Sequence, residues 1–192
     1  MRVGLFGGTF DPPHSGHLIV AQDALIRLGL DRLIFIPAAT PPHKQDREIT
    51  PAAIRLAMLR AATAEDPRFE VDDLEIRRAG PSYTVDTLRA YLSAQPDAEL
   101  FLIVGADQYE EMNTWHEADE VRRLARLAVL SRAGCVAEQA NEHVAAVPVT
   151  RIDISATDIR KRIRAHEPIR YLVPAAVEEL ITRHRLYRPV AG

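Results

Sequence analysis

Val3-Gly4-Leu5-Phe6-Gly7-Gly8-Thr9-Phe10-Asp11-Pro12-Pro13-His14-Ser15-Gly16-His17-Leu18 is the stretch on which the fold turns. The apolar run from Val3 to Phe6 stops at a glycine pair and reads as a buried strand leading into a tight loop. Beyond the loop, Leu18, Ala21, Leu25 and Leu28 recur at helical spacing. Ser15 is the expected N-cap and Gly29 the C-terminal stop. Two glycines after a strand let the backbone come close to a ligand. His17 falls in the first helical turn, where free N–H groups and the helix dipole favour anions. Imidazoles beside a phosphate can donate to negative charge that grows in a transition state. The loop is neither a Gly-x-Gly-x-x-Gly fingerprint nor a Gly-Lys-Ser/Thr phosphate loop.

The same alternation continues outward. Arg32 to Ile36 is the second expected strand, followed by an irregular proline-rich stretch from Ala38 to Ile49. Thr50-Pro51 caps a helix running to about Thr63, and Phe69 to Val71 is a weaker strand. Ser82 opens a helix to about Ala94, with Val85, Leu88 and Leu92 on one face. Leu100 to Val104, Ala125 to Leu130 and Val147 to Ile154 are further strands. Helices are expected over Glu117 to Leu124, Ser155 to Ala165 and Pro174 to His184. Strands alternating with helices predict an α/β fold: a Rossmann-like, doubly wound, mainly parallel sheet with helices on both faces. The 192 residues suit one domain, 1–192, whose closing part at 155–192 carries the last two helices. Such sheets bind ligands at the carboxyl ends of their strands. The informative residues follow the first, second, Leu100 and last strands, so they converge on one edge.

Composition narrows the partners. Hydrophobic residues at 47% and charged residues at 27% describe an ordinary folded chain, which excludes disorder. A net charge of −3 argues against general nucleic-acid binding, although Arg160, Lys161, Arg162 and Arg164 form a local basic patch. Cys135 is the sole cysteine, so neither an internal disulfide nor a cysteine-only metal site is available. No apolar run approaches the ~20 residues of a membrane helix. The N-terminal stretch is too soon interrupted for a signal peptide. The expectation is a cytoplasmic protein that contacts no membrane; whether it works as a homo-oligomer stays open.

A second motif stands at Ile154-Ser155-Ala156-Thr157-Asp158-Ile159-Arg160. Ser155 with Asp158 reads as a capping box, and alone it would mean only a helix start. Thr157 and Arg160 add a hydroxyl and a guanidinium in the first turns, a good cradle for polyphosphate. Asp158 must then turn its carboxylate away from any phosphate.

Together these motifs resemble the nucleotidyltransferases of the (T/H)xGH type, and within them the bacterial nicotinate-nucleotide adenylyltransferases. Gly7 to His17 fits the family's GGTFDPxHxGH loop throughout, and Ile154 to Arg160 matches its ISxTxIR helix start apart from Ala156, where many members carry serine. Pro41 to Lys44 looks like its substrate-facing loop and Ser82 to Thr87 like its helix near the pyridine ring. Gly105-Ala106-Asp107 resembles its ribose-binding turn and Thr114-Trp115-His116 its pyridine-stacking segment, with His116 where tyrosine often stands. The resemblance covers essentially the whole chain.

The resemblance implies that the 5′-phosphate of nicotinate mononucleotide attacks the α-phosphorus of ATP, giving deamido-NAD and pyrophosphate. Mg²⁺ would accompany ATP, and no residue is assigned as a metal ligand. His14, His17 and Arg160 are the implied catalytic residues. Gly7, Gly8, Thr9 and Phe10 would line the ATP site together with His14 and His17. Ser155, Thr157 and Arg160 would hold the β/γ end, and Gly105 with Asp107 the ribose. Lys44, Thr84 and Trp115 would meet the mononucleotide. Lys44 reads equally well as a solvated charge and Asp107 as a helix cap. His43 and His116 read as structural or exposed. Nicotinamide mononucleotide or another phosphate acceptor is the rival substrate, and a nucleotide-binding sensor without catalysis the rival class.

Overall fold

In the computed structural model, residues 1–39, 49–78, 80–131 and 143–189 are described. Six strands alternate with helices: β1 (Arg2–Gly8), α1 (Ser15–Arg27), β2 (Arg32–Pro37), α2 (Ala52–Thr63), β3 (Phe69–Val71), α3 (Leu74–Arg78), α4 (Thr84–Ala94) and β4 (Glu99–Gly105). Then come α5 (Ala106–Glu110), a 3-10 turn at Met112–Thr114, α6 (Ala118–Leu124), β5 (Arg126–Ser131), β6 (Val144–Pro148), α7 (Ala156–Arg164) and α8 (Ala175–Arg183). The sheet order is β3-β2-β1-β4-β5-β6, and every described pairing is parallel. This doubly wound order reverses direction between β1 and β4, so the crevice at their carboxyl ends is the natural ligand position.

Two cores follow from strand alternation. Val3 and Leu5 point to one face with Ile34, Leu102 and Val85 and Leu88 of α4. Phe6, Leu33, Phe35, Phe101 and Ile103 point to the other, under Ala21, Ala24 and Leu25 of α1. Each fully buried side chain of this size contributes roughly 1.5–3 kcal/mol. A third cluster joins Met58 and Ala62 of α2 to Ile159 of α7 and Val177 and Ile181 of α8, which seats the C-terminal helices beside the first loop. Among the described residues no helix is long and apolar enough to cross a membrane.

Several boundaries depart from the sequence reading. The glycine pair belongs to β1 itself, with Gly7 and Gly8 in register with Ile36 and Pro37. The last strand is Val144–Pro148, not Val147 to Ile154; Val144 and Ala145 pair with Leu127 and Ala128, and Pro148, which has no N–H, ends it. His14, not Ser15, occupies the N-cap of α1, and α4 starts at Thr84 with Tyr83 as its cap residue. Helices α3 and α5 have no counterpart in the sequence reading.

Candidate active site

The first loop is shaped by close packing. A Cβ on Gly8 would stand 2.8 Å from the Phe10 ring, so only glycine lets that ring fold back under the strand end. Phe10 takes a left-handed φ of 47° and is buried against Phe6, Phe35 and His17, its centroid 5.0 Å from the His17 ring. Its side chain therefore buttresses a histidine. Gly16 has a comparable reason: a Cβ there would come within 3.0 Å of His14 Nδ1.

The two histidines are held as a unit. Their rings stack at 3.7 Å with an interplanar angle of 26°. The His14 N–H donates to His17 Nδ1 at 3.1 Å. With Nδ1 accepting, the neutral His17 ring carries its proton on Nε2, which makes Nε2 a donor. His14 is buried, and among the described residues its Nδ1 has no hydrogen-bond partner. Burial pushes its pKa from 6.5 down to about 4, so the ring is neutral near pH 7. The unfolded chain takes up this proton at the higher pKa, so lowering the pH from 6.5 towards 4 favours unfolding. The full loss is about 3 kcal/mol. Denaturation midpoints measured across that range should show this slope, and His14→Asn should remove it; an unchanged slope would refute the assignment.

Helix α7 reaches the same loop. Arg160 Nη1 donates to the Asp11 carbonyl at 2.6 Å, and Nη2 to Thr157 Oγ1 at 3.2 Å. Ser155 caps the helix, accepting from the Asp158 N–H at 3.1 Å, while its hydroxyl donates to the Asp158 carboxylate at 2.7 Å. Asp158 is thereby turned towards Ser155 and Lys161, so the Ser155 hydroxyl is engaged within the helix start and the carboxylate stays beside it.

At the carboxyl ends of β1 and β4 lies a cavity of about 500 Å³. Gly7, Gly8 and Thr9 form one wall, Thr84 at the start of α4 another, and Trp115 with His116 a third. A Cβ on Gly7 would meet nothing within 4 Å, so its backbone faces open space. The Tyr83 and His116 rings pack at 4.4 Å, tilted by 31°, and His116 is part of the wall. Gly105 ends β4, its N–H taken by the Gln108 side chain at 3.2 Å. Asp107 is exposed in the first turn of α5; it does not cap that helix, because Gly105 holds the cap position. Lys44, like His43, lies outside the described residues. One loop thus joins the predicted phosphate residues to the predicted ring residues.

Arg55, Asp11, Glu75 and Tyr187 also shape the site and were not singled out from sequence. Arg55 is 1% exposed and donates to the carbonyls of Thr50, Thr9, Ala38 and Ala39 at 2.8–3.3 Å. Asp11 accepts from the Thr50 N–H at 3.1 Å and the Tyr187 hydroxyl at 2.5 Å. The one sequence signal for Arg55 was its register with Met58, Leu59 and Ala62, a cation on the buried face of a helix.

Comparison with known proteins places this geometry in context. Residues 5–162 match a family described as cytidylyltransferase-like. A Thermus thermophilus protein named "probable nicotinate-nucleotide adenylyltransferase" is 48% identical over 188 residues, covering 98% of this chain and 100% of that protein. A Thermomicrobium roseum protein of the same name is 46% identical over 198 residues, covering 98% and 92%. Among solved structures, Plasmodium falciparum nicotinic acid mononucleotide adenylyltransferase complexed with NaAD superposes with a TM-score of 0.80 at 17% identity, over 97% of both chains. That last likeness speaks to fold.

Proposed function

Because the chain belongs to the cytidylyltransferase-like family, and within it to the nicotinate-nucleotide adenylyltransferases, we propose that it transfers the adenylyl group of ATP to nicotinate mononucleotide in the cytoplasm. The observation that carries this reading is the bond from Arg160 to the Asp11 carbonyl. It sets the α7 cation and the stacked histidines on one loop, whose other end lines the cavity of Thr84 and Trp115.

In this reading a 5′-phosphate oxygen of the mononucleotide forms a bond to the α-phosphorus of ATP. The bond from that phosphorus to the bridging β-phosphate oxygen breaks, and pyrophosphate leaves. No protein nucleophile is required, so positioning and charge stabilisation do the chemistry. His17 Nε2–H donates to the α-phosphate as its charge grows, with neutral His14 stacked behind it. Arg160 and Thr157 engage the β- and γ-phosphates, and Ser155 sets the start of their helix. Asp107 accepts from the adenosine ribose, and Trp115 stacks on the pyridine ring. Mg²⁺ would neutralise phosphate charge. Among the described residues no group of three or more His, Cys, Asp or Glu could hold a metal.

The backbone N–H groups at the start of α4 suit a nicotinate carboxylate, whereas an amide would set its own donors against them. An unpaired buried donor costs about 1–3 kcal/mol, so kcat/KM for nicotinate mononucleotide should exceed that for nicotinamide mononucleotide by roughly tenfold or more. Pyrophosphate release from ATP with each mononucleotide tests this. Equal efficiencies would remove the preference but keep the transferase; release with neither would sink both.

A further inference from the structure

Glu75 lies in α3, which no functional motif covers, yet its side chain reaches the wall of the ring cavity. It is 8% exposed. The buried Thr87 hydroxyl donates to Glu75 Oε1 at 2.8 Å, and the Ser82 hydroxyl bonds to the same carboxyl group. Ser82 Oγ in turn accepts the Ala39 N–H at 3.0 Å. The relay runs from the residues just past β2, through Ser82, to the second turn of α4. It ties down the segment around Thr84, which lines the cavity with Ser82 and Tyr83.

Resting on the reading that the cavity takes nicotinate mononucleotide, we propose that Glu75 is a positioning residue that sets the acid-over-amide selectivity of this enzyme. The start of α4 discriminates the two rings only if its donors are fixed; a turn free to shift by an ångström could accommodate either. Glu75 ties Ser82 and Thr87 to one acceptor, so the turn between them has little freedom. A bare carboxylate beside a carboxylate pocket would repel its ligand. Here both hydroxyls point at it, Arg78 lies near, and burial raises its pKa, all of which blunt that repulsion.

The test is steady-state kinetics on the full-length protein with ATP and either mononucleotide. Glu75→Ala should raise KM for nicotinate mononucleotide about tenfold, leave KM for ATP within about twofold, and lower the acid-to-amide ratio of kcat/KM. Glu75→Gln keeps one acceptor oxygen and should restore much of both. Should Glu75→Ala not fold, Thr87→Val together with Glu75→Gln supplies the same comparison, with Thr87→Val expected to lower the ratio. Equal increases in both KM values, or an unchanged ratio in a folded variant, would overturn the proposal. So would tighter nicotinate mononucleotide binding in Glu75→Gln, because Glu75 would then be a repelling wall. Wild-type protein that transfers nothing to nicotinate mononucleotide fails the parent reading whatever Glu75 does.

Discussion

Replacing His17 by alanine should lower turnover about 10²- to 10³-fold while leaving the fold intact, the usual loss when one donor to a developing oxyanion is removed. The size rests on preorganisation. The Nδ1 bond from the His14 backbone N–H at 3.1 Å, the His14 ring at 3.7 Å and the Phe10 ring at 5.0 Å between centroids hold the imidazole before any substrate binds. No reorganisation is then needed as charge grows, so the interaction acts on the transition state. Single-turnover rates with saturating ATP check this, alongside a circular dichroism spectrum to confirm folding. Activity within a few-fold of wild type would remove His17 from the mechanism.

Arg55→Met should have the largest effect on stability. The substitution is close in volume, so little cavity forms. It leaves the carbonyls of Thr50, Thr9 and Ala38 without their buried donor and leaves Arg160 as the cation beside Asp11. Leaving a buried acceptor unpaired costs about 1–3 kcal/mol, so losing several together should cost roughly 3–5 kcal/mol. A urea titration should show the unfolding free energy lowered by that amount. Arg55→Lys should recover only a part, since one ammonium cannot span carbonyls from three separate segments as a planar fork does. A loss under about 1 kcal/mol in Arg55→Met would mean that other bonds hold the loop.

The architecture was legible wherever a periodic run met a strong punctuator. The strand before Gly7, the helix before Gly29 and the apolar runs at Arg32 and Leu100 all read correctly, because alternation and helical spacing are local signals. The end of β6 was misplaced because the apolar run continues past Pro148, and only the register against β5 shows where pairing stops. Helix α3 has five residues, too few for any period to show. Site residues carried by a contiguous motif, His14, His17 and Arg160, were visible; those acting through distant backbone were not. Arg55 meets Thr9 across 46 positions and Ala38 across 17, and no spacing rule encodes either. Glu75 sits in a segment without a distinguishing pattern, and although Ser82 to Thr87 resembled a family segment, nothing in the sequence tied Ser82 or Thr87 to Glu75.

The ties across the first loop also bear on how the chain is made. Arg160 bonds to Asp11, Ser15 to the Tyr171 and Leu172 carbonyls, and Tyr187 to Asp11, over separations of 149, 156 and 176 residues for the side-chain bonds. Non-local closures of this kind slow folding, because chain entropy is lost before the contacts form. On the ribosome, β1 and its neighbours emerge long before residues 160, 171 and 187. A nascent chain therefore carries the sequence of its first loop well before it has the clamps that shape it, and that loop is tied down only as the C-terminal helices leave the exit tunnel.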